Sequence, residues 1–276
     1  MRFVFWNIAH VEAHWHDLIA DERLDLALLQ EATPPPANIK CETIPARNEP
    51  WITAGAHRRF CAAVVRLSDR VQVRRIPTKP LPEAGEDDLG VSLPGTLAAC
   101  EVSDDSGETI VVASVYAAWG WPIPWTKGGW IYADASVHRL ISDLSALVAL
   151  ERGHKIIVAG DLNILYGHGE DGNVYWKGRY ETVFTRMEML GLPFVGPQHP
   201  YGAQASPWPT ELPVGSKNVP TFRTRKGDPA TATRQLDFVF ASRDLVPRLT
   251  VRALNALDTW GPSDHCRVEI EMAAAS

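Results

Sequence analysis

The amino-acid sequence predicts an α+β fold in which two β-sheets pack face to face and helices lie outside them. Three observations lead to this prediction: many short apolar segments have strand character, only a few segments have helical spacing, and strands both precede and follow the longest helix. No linker and no internal repeat divides the 276 residues, so residues 1–276 are expected to form one domain. Such a sandwich brings strand ends from both sheets to one edge.

The N-terminal part predicts a strand at 2–8, an amphipathic helix at 11–21 and a second strand at 24–30. The apolar face of the helix consists of Val11, Trp15, Leu18 and Ile19. Three consecutive prolines at 34–36 stop the second strand. Two hairpins are predicted next because turn residues separate apolar runs. They pair 59–67 with 71–76, and 96–102 with 109–116.

The C-terminal part predicts one long helix, one shorter helix and four more strands. The long helix runs from about Ala133 to Arg152, and the shorter one covers 179–190 and is closed by Gly191. An irregular surface segment with six prolines is expected over 193–219. The strands are predicted at 155–159, 236–241, 249–254 and 266–272.

The composition is that of a soluble globular protein, with 45% hydrophobic and 22% charged residues. No segment resembles a signal peptide or a membrane span. The four cysteines share no metal-binding spacing, and three lie in apparent strands, so reduced, buried thiols and a cytoplasmic location are expected.

The net charge of −6 does not favour a protein that grips long duplex DNA through many phosphates. Residues 58–79 are mainly basic and residues 83–108 wholly acidic among their charged side chains, and such runs usually form solvated faces. A second basic cluster lies close enough to Asp237 in sequence to contact a substrate phosphate. It consists of Arg223, Arg225, Lys226 and Arg234.

Several predicted strands end in polar side chains, which is unusual because unpaired polar groups are costly to bury. Asp161 and Asn163 are two residues apart, so in extended geometry they share one face. A carboxylate beside a carboxamide suits holding and deprotonating a water molecule. The alternative is a simple Asx-turn after the strand.

Glu31 and Asp264 follow other apolar segments and supply the carboxylate oxygens that Mg²⁺ prefers, with Asn7 as a neutral neighbour. Asp237 lies within an apolar run and needs a partner, which His265 can provide. A cationic His265 would then stabilise charge on a phosphorane-like transition state. Turn and capping roles remain the alternatives for Glu31 and for residues 263–265.

In order along the chain, these segments resemble the motifs of the endonuclease/exonuclease/phosphatase superfamily, and the resemblance covers essentially the whole chain. The segments are Phe5-Trp6-Asn7-Ile8, Leu29-Gln30-Glu31, Val115-Tyr116, Gly160-Asp161-Leu162-Asn163, Leu236-Asp237-Phe238-Val239-Phe240 and Ser263-Asp264-His265-Cys266. The resemblance implies the four-layered αββα sandwich of deoxyribonuclease I, with two mixed sheets, and a phosphoesterase that depends on Mg²⁺ or Mn²⁺.

The same resemblance implies a role for each motif residue. Glu31 would bind the metal, with Asp264 and Asn7 at or near it. Asp161 would activate water, Asn163 would orient it, and His265, held by Asp237, would stabilise the transferring phosphoryl group.

Tyr116 is similar to the tyrosine of the exonuclease III-like branch, although a plain core aromatic is the alternative. The residues after Tyr116 differ from those of abasic-site endonucleases, because an aromatic loop replaces the expected phosphate-binding loop. Trp119, Trp121 and Trp125 in this loop would stack on nucleotide bases, or else pack the loop against the sandwich edge.

The leading hypothesis is therefore a metal-dependent phosphodiesterase acting on DNA or RNA, either as an endonuclease or as an exonuclease. The first alternative is hydrolysis of a small nucleotide or another phosphorylated metabolite. The second is a catalytically silent binding module, which is disfavoured because no motif position carries an inert residue. No obligate protein partner is inferred.

Overall fold

The computed structural model describes residues 1–53, 58–86, 88–117, 133–150, 155–224 and 227–274. The α-helices of this part of the chain are α1 His14–Ile19, α2 Ala133–Leu150 and α3 Val174–Met189. The strands are β1 Arg2–Asn7, β2 Leu26–Ala32, β3 Glu42–Ile44, β4 Cys61–Arg66, β5 Val71–Arg75, β6 Thr78–Pro80, β7 Leu89–Val91, β8 Leu97–Asp104, β9 Thr109–Tyr116, β10 Ile156–Asp161, β11 Phe194–Gly196, β12 Asp237–Ala241, β13 Leu249–Ala253 and β14 Val268–Met272.

The strands form two six-stranded sheets and one two-stranded ribbon. The first sheet has the order β13-β14-β1-β2-β4-β3, and the second has the order β11-β12-β10-β9-β8-β5. Both sheets are mixed, because β1 runs parallel to β2 and β10 runs parallel to β9 while their other neighbours are antiparallel. The ribbon consists of β6 and β7.

The apolar faces of the elements generate four layers. Phe3, Phe5 and Leu28 of the first sheet pack against Val112 and Val239 of the second in a shared core. On the outer face of the second sheet, residues of α2 and α3 cover β9, β10 and β12. On the outer face of the first sheet, α1 covers β1 and β2. The predicted fold class, a four-layered αββα sandwich, is confirmed, and the single domain over residues 1–276 stays a prediction.

The predicted hairpin between residues 59–67 and 71–76 is wrong. Both strands exist, but β4 pairs within the first sheet and β5 pairs with β8 in the second. Asp25 fixes the crossing, because its carboxylate accepts hydrogen bonds from Ser68 Oγ at 2.9 Å and Arg70 Nε at 2.6 Å. Val71 then enters the core between the sheets. A local turn signal cannot show which sheet the second strand joins.

Smaller differences concern element ends. Helix α1 is shorter than predicted, and Ile19 is 39% exposed instead of facing the core. Helix α3 begins at Val174, five residues before the predicted start, because the Asn173 side chain accepts a hydrogen bond from the Tyr175 N–H at 2.9 Å and caps it. The segment 193–219 contains β11, and the three-residue strands β3, β6 and β7 were not predicted.

The separated charge runs of the sequence meet in the folded protein. Arg74 pairs with Glu101 across β5 and β8, and Lys79 Nζ lies 2.8 Å from Asp88. The two runs therefore neutralise each other in part. All four cysteines are free, as expected. Among the described residues, no helix combines the length and apolar character that crossing a bilayer requires.

Candidate active site

The predicted polar residues converge at one edge of the sandwich because of the strand directions. Parallel β9 and β10 both end there, which places Tyr116 beside Asp161. Strand β12 runs the opposite way and begins there with Asp237, which pairs with Asp161. In the first sheet, β1 ends at Asn7, and residues 263–265 precede the antiparallel β14. The expected convergence of strand ends is what the topology produces.

Asp161 is the centre of this arrangement and is 1% exposed. Its Oδ1 accepts the backbone N–H of Asn163 at 2.9 Å. Its Oδ2 accepts the Asn7 side-chain amide at 3.0 Å and the Asn163 side-chain amide at 3.2 Å. Nε2 of His265 lies 3.8 Å from the same oxygen, beyond the reach of a hydrogen bond. Residues from both sheets therefore surround one carboxylate.

The local backbone explains the Gly-Asp-x-Asn pattern. A Cβ atom on Gly160 would lie 1.8 Å from the carbonyl oxygen of Val115, so only glycine allows β10 to approach β9 this closely. Asn163 has φ +53°, in the left-handed region, which asparagine tolerates better than most residues. This conformation turns the chain so that both the backbone and the side chain of Asn163 contact Asp161.

His265 is held in place from several sides. Its Nδ1 lies 2.7 Å from Asp237 Oδ2, and its backbone N–H donates to Ser263 Oγ at 3.2 Å. The indole N–H of Trp6 donates to the His265 carbonyl at 3.0 Å, and the Phe222 ring lies 5.0 Å from the imidazole. The predicted Asp237–His265 pair is present, and its imidazole Nε2 faces Asp161.

The electrostatics of this pair follow from burial and charge. Burial raises the pKa of Asp161 to about 7, against the attraction of the His265 cation. Burial acts to lower the pKa of His265, but the Asp237 and Asp161 carboxylates outweigh it and raise this pKa to about 10. At neutral pH the imidazole is therefore protonated, and the nearby carboxyl is close to its titration midpoint, as a general base requires.

Glu31 lies on the other side of the site, within β2. Tyr116 Oη donates to its Oε1 at 2.9 Å, and His10 Nδ1 lies 3.2 Å from its Oε2. Although burial opposes ionisation, these two hydrogen bonds keep the pKa of Glu31 below its usual value. Glu31 lies within electrostatic range of both Asp161 and His265. It therefore belongs to the same site and carries a negative charge.

Among the described residues, the metal-competent side chains with ligand atoms within 4.8 Å of one another are Asp161, Asp237 and His265. Within this group, His265 Nδ1 is already hydrogen-bonded to Asp237 at 2.7 Å, so this ring nitrogen is engaged inside the protein. Glu31 and Asp264 instead offer carboxylate oxygens, so a cation bound by them would not need the His265 imidazole as a ligand. Mg²⁺ needs only one or two carboxylates beside waters and substrate phosphates, so the ionised Glu31 carboxylate suffices as its protein ligand.

The other predicted metal neighbours have defined contacts. Asp264 lies next to His265, and Ser263 Oγ is 3.3 Å from its Oδ1. Asn7 uses its amide nitrogen for Asp161, and its Oδ1 accepts the Ala9 N–H at 2.9 Å. The structure thus gives Asn7 a clear role in holding Asp161, and its role as a metal ligand stays a prediction.

The predicted basic substrate contacts are partly engaged within the protein. Arg223 Nη1 donates to the Gly227 carbonyl at 2.7 Å, while its buried Nε has no hydrogen-bond partner among the described residues. Arg234 pairs with Glu170. The remaining predicted contacts lie outside the described residues; they are Trp119, Trp121, Trp125, Arg225 and Lys226. No sequence motif marked His10 or Phe222, because their contacts depend on distant strands.

A search of curated proteins finds no match. Among solved structures, the catalytic domain of APE2 from Xenopus laevis matches with 16% identity and a TM-score of 0.65, covering 99% of this chain and 91% of that one. The endonuclease domain of TRAS1, a telomere-specific non-LTR retrotransposon, matches with 15% identity and a TM-score of 0.62, covering 100% and 99%.

A third similar structure is the 3′ phosphatase NExo from Neisseria, bound to product DNA hairpin. It matches with 19% identity and a TM-score of 0.58, covering 99% of this chain and 100% of that one. These likenesses show a shared fold over nearly the full length. The model of the Endonuclease/Exonuclease/phosphatase family matches residues 4–265. With its motif residues gathered at one edge of the sandwich, the chain belongs to the endonuclease/exonuclease/phosphatase family.

Proposed function

We propose that this chain hydrolyses phosphodiester bonds in DNA or RNA with the help of a divalent cation, Mg²⁺ or Mn²⁺. One observation carries the proposal: Asp161 Oδ2 lies 3.8 Å from Nε2 of His265, which Asp237 binds from its other side. A poised carboxylate facing an oriented cationic imidazole supplies the base and the charge stabilisation that in-line attack on phosphorus requires.

The residues then have separate tasks. Asp161 accepts a proton from the attacking water, and Asn163, whose amide lies beside that carboxylate, orients the water oxygen. His265 donates its Nε2–H to a non-bridging phosphate oxygen as negative charge develops there. Asp237 keeps the ring protonated and correctly turned, and Asn7 keeps Asp161 in place through its 3.0 Å hydrogen bond.

Glu31 would hold the cation, with Asp264 as a second carboxylate nearby. A bound Mg²⁺ or Mn²⁺ would polarise a phosphate oxygen and neutralise charge at phosphorus. Tyr116 supports Glu31 through its hydroxyl, and burial raises its pKa well above the usual value, so the phenol remains a hydrogen-bond donor.

Two features support nucleic acid as the substrate. Arg223 and Arg234 belong to segments that border the proposed site, because the Arg223 backbone N–H donates to the Asp264 carbonyl at 2.9 Å and Arg234 precedes Asp237 closely in the chain. Similar structures include an endonuclease domain and an enzyme bound to a DNA hairpin.

The free cysteines support the proposed cytoplasmic location.

A second candidate is a small nucleotide or another phosphorylated metabolite. It is favoured by the net charge of −6 and by the internal contacts of Arg223 and Arg234, which reduce the cationic surface for a long polyanion.

One experiment separates the candidates. The full chain is incubated with plasmid, labelled single strands, duplexes and nucleotide phosphates, each with Mg²⁺ or with EDTA. The proposal predicts Mg²⁺-dependent cleavage of the polymers that the Asp161→Asn variant lacks. Turnover of small phosphates alone would reject the nuclease assignment, and polymer cleavage in EDTA would reject the cation.

A further inference from the structure

Four side chains, one of them Glu31, form a closed ring of contacts, which we call the carboxylate ring. Tyr116 Oη donates to Glu31 Oε1 at 2.9 Å, and His10 Nδ1 lies 3.2 Å from Glu31 Oε2. The His10 ring stacks on Phe60 with centroids 5.4 Å apart and an interplanar angle of 10°. The Phe60 ring then meets Tyr116 edge to face at 6.0 Å. Each member therefore contacts two others.

The backbone shows that this arrangement is specified. His10 and Glu31 have φ values of +49° and +48°, a conformation that residues other than glycine rarely adopt. The His10 backbone N–H also donates to the Glu31 carbonyl at 2.9 Å. The loop after β1 is thus joined to β2 twice, once through the backbone and once through the side chains.

The far side of the ring is anchored in the protein. Tyr116 is 4% exposed, and the Phe60 carbonyl accepts a hydrogen bond from Thr53 Oγ1 at 2.8 Å. His10 lies at the solvent side, with its side chain 48% exposed, while the Glu31 side chain is 21% exposed. The carboxylate is consequently fixed from the interior by Tyr116 and from the surface by His10.

We propose that His10, backed by Phe60, is a positioning residue that orients Glu31 toward the metal ion. This inference rests on the proposed function, in which Glu31 is a metal ligand. A hydrogen bond to each carboxylate oxygen directs the remaining lone pairs, so the ligand is oriented before the cation arrives. Outer partners of metal ligands commonly contribute substantially to affinity in this way.

The chain offers matched variants for a test. His10→Gly removes the side chain and suits the positive φ, so the backbone is not strained. His10→Asn places an amide N–H near the position of Nδ1, and asparagine also accepts this φ. Phe60→Leu removes the ring that stacks on His10 and meets Tyr116 edge to face. Ala9→Gly, at φ +48°, controls for added flexibility in the same loop.

The measurement is Mn²⁺ binding to the full chain without substrate, followed by electron paramagnetic resonance. Unfolding midpoints in EDTA check that each variant folds. We expect His10→Gly to bind Mn²⁺ about 10-fold more weakly, at the low end of the range for outer partners because His10 is half-exposed. Phe60→Leu should weaken binding less, and His10→Asn and Ala9→Gly should bind close to the wild type.

The outcomes separate this inference from the proposed function. Unchanged Mn²⁺ affinity in Glu31→Gln would reject the metal site itself. Loss of affinity in Glu31→Gln with unchanged affinity in His10→Gly would overturn only the role of His10. If His10→Gly does not fold, Phe60→Leu decides: weaker Mn²⁺ binding supports the inference, and wild-type binding overturns it.

Discussion

The two halves of the candidate site differ in burial and in backbone geometry. The half to which we assign catalysis, the catalytic half, consists of Asp161, Asp237 and His265, which lie at or next to strand ends and are 1%, 0% and 4% exposed. The half to which we assign the cation, the metal half, consists of Glu31, His10 and Asp264. It is partly open to solvent, and Glu31 and His10 have left-handed backbones. Proton transfer profits from a dry site that shifts pKa values, whereas a hydrated cation must enter from water.

The largest expected effect comes from replacing Asp161 or His265, whose side chains face each other at 3.8 Å. Asp161→Asn removes the proposed base, and His265→Ala removes the positive charge that is proposed to face the phosphate. Each variant should lower kcat by about 10³-fold or more. Single-turnover cleavage of a labelled oligonucleotide measures this, with the exposed Asp244→Asn and His16→Ala as controls. Wild-type kcat in either variant would refute the assigned roles.

The sequence predicts the site residues that lie at strand ends and misses those that depend on distant contacts. Asp161, Asn163 and His265 were predicted because polar groups that end apolar runs are rare, and strand direction alone brings such ends together. His10 could not be predicted, because its role depends on φ and on a contact with another strand. The wrong hairpin at 59–76 has the same origin, because β5 pairs with β8, which is distant in sequence, and Asp25 of another segment binds the connection before β5.

A further test separates orientation from charge within the catalytic half. Asp237→Asn keeps the shape but removes the carboxylate that binds His265 Nδ1 at 2.7 Å. We expect kcat to fall by about 10²-fold, because the ring loses its orientation and part of its positive charge. The upper limit of the pH profile should also move down from about 10. A wild-type pH profile would show that Asp237 does not tune His265.

The pH dependence of kcat/KM follows from the same pair. Asp161 must be ionised, and its pKa is raised to about 7, so activity should fall as the pH drops below that value. His265 must be protonated, and its pKa is raised to about 10, so activity should fall again above that pH. A profile in buffers of constant ionic strength checks both limits. An unperturbed carboxyl is already ionised above about pH 5. Constant kcat/KM from about pH 5 to neutrality would therefore contradict a raised Asp161 pKa.

The metal half should respond differently. Glu31→Gln keeps a hydrogen-bond acceptor for Tyr116 but removes the charge, so the Mg²⁺ concentration for half-maximal activity should rise by about 10-fold or more. Saturating Mg²⁺ should restore much of kcat, which it should not do for Asp161→Asn. Glu22→Gln, at an exposed position, is the matched control. Failure of excess Mg²⁺ to rescue Glu31→Gln would place Glu31 in the catalytic half.

The smallest effect concerns stability. The pKa of Asp161 is higher in the folded protein than in the unfolded chain. The buried carboxyl therefore favours folding at low pH, where it is protonated. This contribution to stability is lost as the pH rises through about 7. Above that pH, Asp161→Asn should raise the free energy of unfolding of the metal-free protein by on the order of 1 kcal/mol. Urea unfolding in EDTA at pH 8 and pH 4, as conditions above and below the shift, measures the difference. If the difference in free energy of unfolding between the wild type and Asp161→Asn is the same at both pH values, burial does not raise the pKa of Asp161.

The division of the site into two halves is tested most directly by locating the cation. A crystal soaked with Mn²⁺ and a nucleotide gives an anomalous scattering peak at each bound ion. We predict a peak within coordination distance of the Glu31 carboxylate and none on His265, whose Nδ1 should remain bonded to Asp237. A peak ligated by Asp237 and His265 would contradict this division and the mechanism built on it.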